Sequence, residues 1–148
     1  MKWEKIIAEM KAIFGTVKFH PELIYELIEL INKTGNEAEF IKLFKKRISQ
    51  LELLGLSATK LEEFEKLKGP NTDGLYSMHL SGKRFNIRII YSYNACGEVL
   101  LHSFYKRDGS KTTDYTNHIP IAYNRKKEME RNERWKKSFW RFFGIFCW

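Results

Sequence analysis

Near the middle of the chain the spacing of apolar residues changes from helical to alternating, across the segment Lys68-Gly69-Pro70-Asn71-Thr72-Asp73-Gly74. Side chains share a face every 3.6 residues in a helix and every second residue in a strand, so the chain must build helices first and strands afterwards. Before the break, Leu23, Leu27, Leu30 and Ile31 follow Pro21 at three- and four-residue steps, and Gly35 supplies a stop. Asn36 is placed to cap a second helix from Glu37 to Leu54, with Phe40, Leu43, Phe44, Ile48, Leu51 and Leu54 on one face and Gly55 closing it. Thr16 to His20 alternates as a short strand, His20 is placed to begin the helix at Pro21, and residues 1–14 suit a further short helix.

After the break, Leu75 to Leu80, Arg84 to Tyr93 and Glu98 to Lys106 read as strands joined by the short turns Ser81-Gly82-Lys83 and Asn94-Ala95-Cys96-Gly97. Such connections predict an antiparallel meander. The expected class is therefore α+β: N-terminal helices packed on a small antiparallel sheet, then a C-terminal helix over Tyr123 to Lys137, limited upstream by Pro120, and an aromatic tail. Alternation puts Phe85, Ile87, Ile89, Tyr91 and Tyr93 on the core face and Arg84, Asn86, Arg88 and Ile90 on the other, which the helices are expected to leave open. On the first strand, Leu75, Ser77 and His79 oppose Tyr76, Met78 and Leu80. The third divides into Leu100, His102, Phe104 and Lys106 against Val99, Leu101, Ser103, Tyr105 and Arg107, and both sets are partly apolar. His102, among Leu100, Leu101 and Phe104, reads as a packed histidine.

A length of 148 residues suits one domain, expected over 1–132 with 1–16 as an N-terminal extension and 133–148 as an appendage. The net charge of +8 is unevenly spread: 12 basic and 11 acidic residues run through Thr72, against 14 and 7 after it, so the halves carry +1 and +7. The predicted sheet and last helix thus carry the signal for a polyanionic partner, nucleic acid or an acidic protein. Cys96 and Cys147 make neither a disulfide framework nor a zinc site. The charged N-terminus lacks a signal-peptide core, and no stretch is long enough to span a bilayer, so a cytoplasmic protein is expected. The last 14 residues hold Trp135, Phe139, Trp140, Phe142, Phe143, Phe146 and Trp148 between Lys136, Lys137 and Arg141. Packing on the protein or a partner is favoured for them over a membrane interface or single-stranded nucleic acid.

Three strings in order, Gly74-Leu75-Tyr76-Ser77-Met78-His79-Leu80, Asn86-Ile87-Arg88-Ile89-Ile90-Tyr91 and Val99-Leu100-Leu101-His102-Ser103-Phe104-Tyr105-Lys106-Arg107, resemble the RelE/ParE superfamily of type II toxin–antitoxin toxins, especially its HigB-like branch. Lys111-Thr112-Thr113 and His118-Ile119-Pro120-Ile121-Ala122 extend the resemblance, which covers roughly Val17 to Met129. It implies a helix-on-sheet fold, a cognate antitoxin, often of helix-turn-helix type, with which the toxin forms homo- or hetero-oligomers, and, in the ribosome-dependent members, cleavage of mRNA in the ribosomal A site. Ser77 and His79 stand where well-studied nuclease members carry Lys or Arg. A gyrase-directed toxin of the ParE kind and a non-catalytic RNA- or partner-binding module of the same fold remain the alternatives.

The residues themselves suit phosphate chemistry without a cofactor. Asp73, Glu98, Asp108 and Asp114 are isolated, whereas a catalytic metal needs clustered ligands. In metal-independent RNA cleavage the 2′-hydroxyl attacks the adjacent phosphate, and the protein neutralises the phosphorane and moves protons. Arg88 is the first choice for the clamp, because guanidinium is permanently charged and bidentate toward oxyanions. Lys106 and Arg107 add charge, and His79 suits acid–base work, because imidazole ordinarily titrates at about 6.5. Lys83, Arg84, Asn86, Tyr91, Lys111, Tyr115 and His118 complete the set as substrate-binding candidates.

Overall fold

The computed structural model describes residues 2–15, 17–95, 97–107 and 113–141, with side chains in the last helix described from 115 to 131. Lys111, both cysteines, the side chains of Trp135, Phe139 and Trp140, and the aromatics beyond Arg141 lie outside the described residues.

Three helices precede the main strands: α1 (Lys2–Phe14), α2 (Pro21–Thr34) and α3 (Glu37–Leu54). Before α2, His20 accepts the Glu22 amide at Nδ1 (3.2 Å), satisfying one of the N–H groups a helix start leaves without a partner. Gly35 ends α2 at φ 69°, returning its N–H to the Ile31 carbonyl in a left-handed conformation that a glycine adopts without strain. α3 buries Phe40, Phe44, Ile48 and Leu51 as its spacing predicts. Leu54 does not join them: the chain turns at Gly55 into a 3-10 helix (Gly55–Lys60), and Leu54 stays 37% exposed.

Five strands, β1 (Lys18–Phe19), β2 (Phe64–Lys66), β3 (Tyr76–Ser81), β4 (Asn86–Asn94) and β5 (Gly97–Tyr105), form one sheet in the order β1-β5-β4-β3-β2. The meander of β3, β4 and β5 is antiparallel as expected, and β2 extends it antiparallel to β3. The sheet is nevertheless mixed, not antiparallel throughout, because β1 pairs parallel to β5 through Lys18 with Val99 and Phe19 with Leu100. Strands of two and three residues are too short to display a period of two, so β1's direction and β2's existence were not legible locally.

The helix-facing side of the sheet buries Met78, Leu80, Ile87, Ile89, Tyr91 and Leu100 against α1, α2 and α3. The opposite side, expected to be open, is covered. A fourth helix, α4 (Thr113–Arg141), packs Tyr115, Ile119, Ala122, Tyr123 and Met129 on Leu75, Ile90, Val99, Leu101 and Phe104. It begins well before Tyr123 and passes through Pro120 rather than stopping there. Proline in a helix interior costs about 3 kcal/mol, and the apolar stripe on either side of Pro120, buried on the sheet, outweighs that loss.

One irregularity settles the third strand. Ile90 pairs with His102 and Tyr91 with Leu100, leaving Leu101 as an extra residue in β5. Leu100 therefore joins the helical core while Val99, Leu101 and Phe104 face α4, so neither alternating set holds. Among the described residues no helix is long and apolar enough to cross a membrane.

Candidate functional site

The side of the sheet facing α4 gathers polar residues from three neighbouring strands. His79 opposes Arg88 across β3 and β4, and Glu65 opposes Ser77 across β2 and β3. Directly opposed residues share a face. His79 donates from Nε2 to Glu65 Oε1 (2.9 Å), and the Tyr115 hydroxyl of α4 donates to the same oxygen (3.0 Å). With its single proton used there, Tyr115 accepts from Ser77 Oγ at 2.8 Å. The bond from His79 is the main cause holding the Glu65 carboxyl below its usual range, against burial and with help from the charges of His79 and Arg88. Burial, reinforced by the Glu65 charge and opposed by the Ser77 bond, pushes the Tyr115 hydroxyl up to about 12, so it remains a donor at neutral pH.

Arg88 is only 8% exposed. Its Nη1 donates to Asn86 Oδ1 and, at 3.4 Å, to Ser81 Oγ, while its Nε has no hydrogen-bond partner among the described residues. Asn86 is a brace: Oδ1 accepts from Arg88 and Ser81, and Nδ2 donates to the Lys106 carbonyl (3.2 Å). Arg47 of α3 fixes β3 by donating from Nε to the His79 carbonyl (2.9 Å). Beside this cluster a cleft of about 740 Å³ runs between β2 and the start of α4, lined by Glu65, Lys66, Lys68, Lys106, Tyr115 and Thr116.

A second cluster lies at the free edge of β5. β1 covers that edge only as far as Leu100, and beyond it side chains satisfy the backbone. The Ser103 amide donates to Glu26 Oε1 (3.2 Å), and Arg125 of α4 donates to the Leu101 carbonyl (3.0 Å) and to Glu26 Oε1 (2.8 Å). Glu26 Oε2 accepts from His102 Nδ1 (2.9 Å), and His102 Nε2 lies 2.7 Å from His118 Nδ1. The His118 ring stacks on Phe104, centroids 4.2 Å apart and planes 5° from parallel. Burial raises the Glu26 carboxyl, but the bonds and charges of His102 and Arg125 outweigh it and hold the group at about 2. A cleft of about 600 Å³ opens here, lined by Lys33, Arg84, Tyr105, Arg107, Asn117 and His118.

The structure thus brings His79, Arg88 and Tyr115 together beside one cleft that Lys106 also lines, and places Arg84, Arg107 and His118 at the other, across the first turns of α4. Lys83 is exposed in the turn between β3 and β4. Tyr91 is not a binding residue: it is 0% exposed, stacked on Tyr76 (5.4 Å) and edge-on to Phe64 and Tyr93. Its place in the alternation already put it on the core face. Glu65, Glu26 and Arg125 carry no local signal, because only tertiary packing links them to the histidines. Among the described residues no group of three or more His, Cys, Asp or Glu side chains is arranged to hold a metal ion. No protein-family model, curated protein or solved structure matches the chain.

Proposed function

We propose that this protein is a toxin resembling the HigB-like branch of the RelE/ParE superfamily, a cytoplasmic endoribonuclease that cuts mRNA on the ribosome without a metal and is restrained by a cognate antitoxin. The observation that carries the reading is the convergence of His79, Arg88, Glu65 and Tyr115 beside a cleft lined by Lys66, Lys68 and Lys106. Lysines along a cleft bind successive phosphates through charge, and an arginine beside the cleft suits a phosphorane by bidentate contact. For Arg88 to do so, its Asn86 and Ser81 contacts exchange for phosphate oxygens when RNA binds.

Expression is expected to arrest growth and to deplete full-length mRNA on translating ribosomes, and Arg88→Ala is expected to lower cleavage by about a hundredfold or more, the usual loss when one transition-state donor is removed. Primer extension on ribosome-bound mRNA reads both. Growth arrest with intact mRNA and impaired DNA supercoiling would replace this reading with the gyrase-directed one. Salt-sensitive RNA binding without cleavage would replace it with a non-catalytic binding module.

A further inference from the structure

We propose that the cleft at the end of β5 is an RNA subsite beside the reacting phosphate, where Lys33, Arg84 and Arg107 hold backbone phosphates and the Tyr105 ring stacks a base. This rests on the ribonuclease reading for its place on the RNA: the scissile phosphate stays at Arg88, and no bond is made or broken in the subsite.

The lining brings together what a single-stranded nucleotide needs. Lys33 comes from the last turn of α2, Arg84 from the turn before β4 and Arg107 from just beyond β5, so the three cations converge from separate parts of the fold. No carboxylate lines this cleft among the described residues, whereas Glu65 lines the other. Tyr105 is 42% exposed, in contrast to the buried Tyr91. A ring presented beside cations offers its face to any base, and the exposed amide of Asn117 both donates to and accepts from a base edge. His118 is part of the wall, with its ring against Phe104 and its Nδ1 2.7 Å from His102 Nε2. An acidic peptide satisfies the cations but leaves the tyrosine face unused, so RNA is the better match.

The two clefts meet at the end of β5. Tyr105 and Arg107 line the subsite, while Lys106 between them lines the cleft beside Arg88, as alternation along an extended chain places them. Asn86 fixes this arrangement. Its backbone carbonyl accepts from the Lys106 amide (2.8 Å), its Nδ2 donates to the Lys106 carbonyl (3.2 Å), and its Oδ1 accepts from Arg88. One residue thus sets the clamp of the reacting phosphate against the strand end that carries Tyr105. Consecutive residues are about 3.8 Å apart, so an RNA strand crossing Lys106 reaches both clefts. The turn that presents Arg84 is fixed as well: the Gly82 amide donates to the Phe85 carbonyl (2.9 Å), and a Cβ at Gly82 would come within 2.8 Å of the Phe85 ring.

The test uses the full chain, thermal melts to show that each variant folds, and fluorescence anisotropy with a short 2′-O-methylated oligoadenylate or the same backbone carrying abasic sugars. Tyr105→Ala is expected to weaken oligoadenylate binding roughly 5- to 100-fold, to leave abasic binding unchanged, and to be rescued by Tyr105→Phe. The double variant Lys33→Gln, Arg84→Gln is expected to weaken both ligands and to flatten the salt dependence, each lost phosphate contact removing about 0.7 from the logarithmic slope. On ribosome-bound mRNA these variants are expected to raise KM more than they lower kcat, whereas Arg88→Ala lowers kcat. If Tyr105→Ala weakens both ligands equally, or neither, the subsite is overturned. Polyglutamate binding as tight as oligoadenylate at equal salt overturns it too, marking an acidic-peptide site. Wild type that cleaves mRNA while the variants keep its affinity and KM leaves the ribonuclease reading standing and removes the subsite. Base-dependent binding in a wild type that cleaves nothing removes the ribonuclease reading and keeps the subsite.

Discussion

At the scale of single residues, the candidate clusters differ in how visible they were. His79 and Arg88 could be placed on one face from strand alternation, and they do oppose one another across β3 and β4. Glu26 could not, because its partners His102, Ser103 and Arg125 lie far along the chain and share no spacing with it. Its titration has a consequence for stability. The carboxyl is held at about 2 in the folded protein against an ordinary 4.5, so the folded state binds this proton more weakly than the unfolded chain. The stabilisation it provides is complete above 4.5 and is lost as pH falls toward 2. Glu26→Gln is therefore expected to cost about 1–2 kcal/mol at pH 6, measured by urea unfolding, and the gap from wild type is expected to shrink at pH 3. A gap that stays constant would show that the charge of Glu26 contributes nothing.

At the scale of elements, α2 and α3 follow their apolar spacing and end at the glycines expected to end them, because capping and periodicity are local properties. α4 departs from that rule. Pro120 is exposed and inside the helix, where it removes an N–H from the ladder. Pro120→Ala is expected to raise stability by about 1–2 kcal/mol, the helix penalty reduced by the greater freedom of the unfolded alanine chain. A denaturation midpoint unchanged or lowered would mean that proline shapes the packing of α4 on the sheet. The irregularity in β5 is the other element-scale surprise. Alternation assumes one residue per position, and the extra Leu101 turns the second half of the strand over relative to the first.

At the scale of the whole molecule, sequence halves of +1 and +7 become different parts of one three-layer arrangement. The nearly neutral first half supplies the three N-terminal helices and, with Lys66 and Lys68, one wall of the cleft beside Tyr115, and the basic second half supplies α4 and most of the lining of the cleft at His118. If single-stranded RNA crosses between the clefts and engages roughly four phosphates, its affinity is expected to fall roughly 50-fold between 50 and 200 mM salt. Fluorescence anisotropy reads that slope, and a flat response would remove RNA as the ligand of this surface. Local sequence determined α2, α3 and the three strands of the meander, which faces of β3 and β4 are apolar, and where the charge lies, since each is set by neighbours within a turn or two. Only the tertiary structure decided that α4 covers the second face of the sheet, that the extra Leu101 turns β5 over, and that Glu26 meets His102. Those outcomes depend on which buried surfaces find one another across the chain, and no spacing along it records that choice.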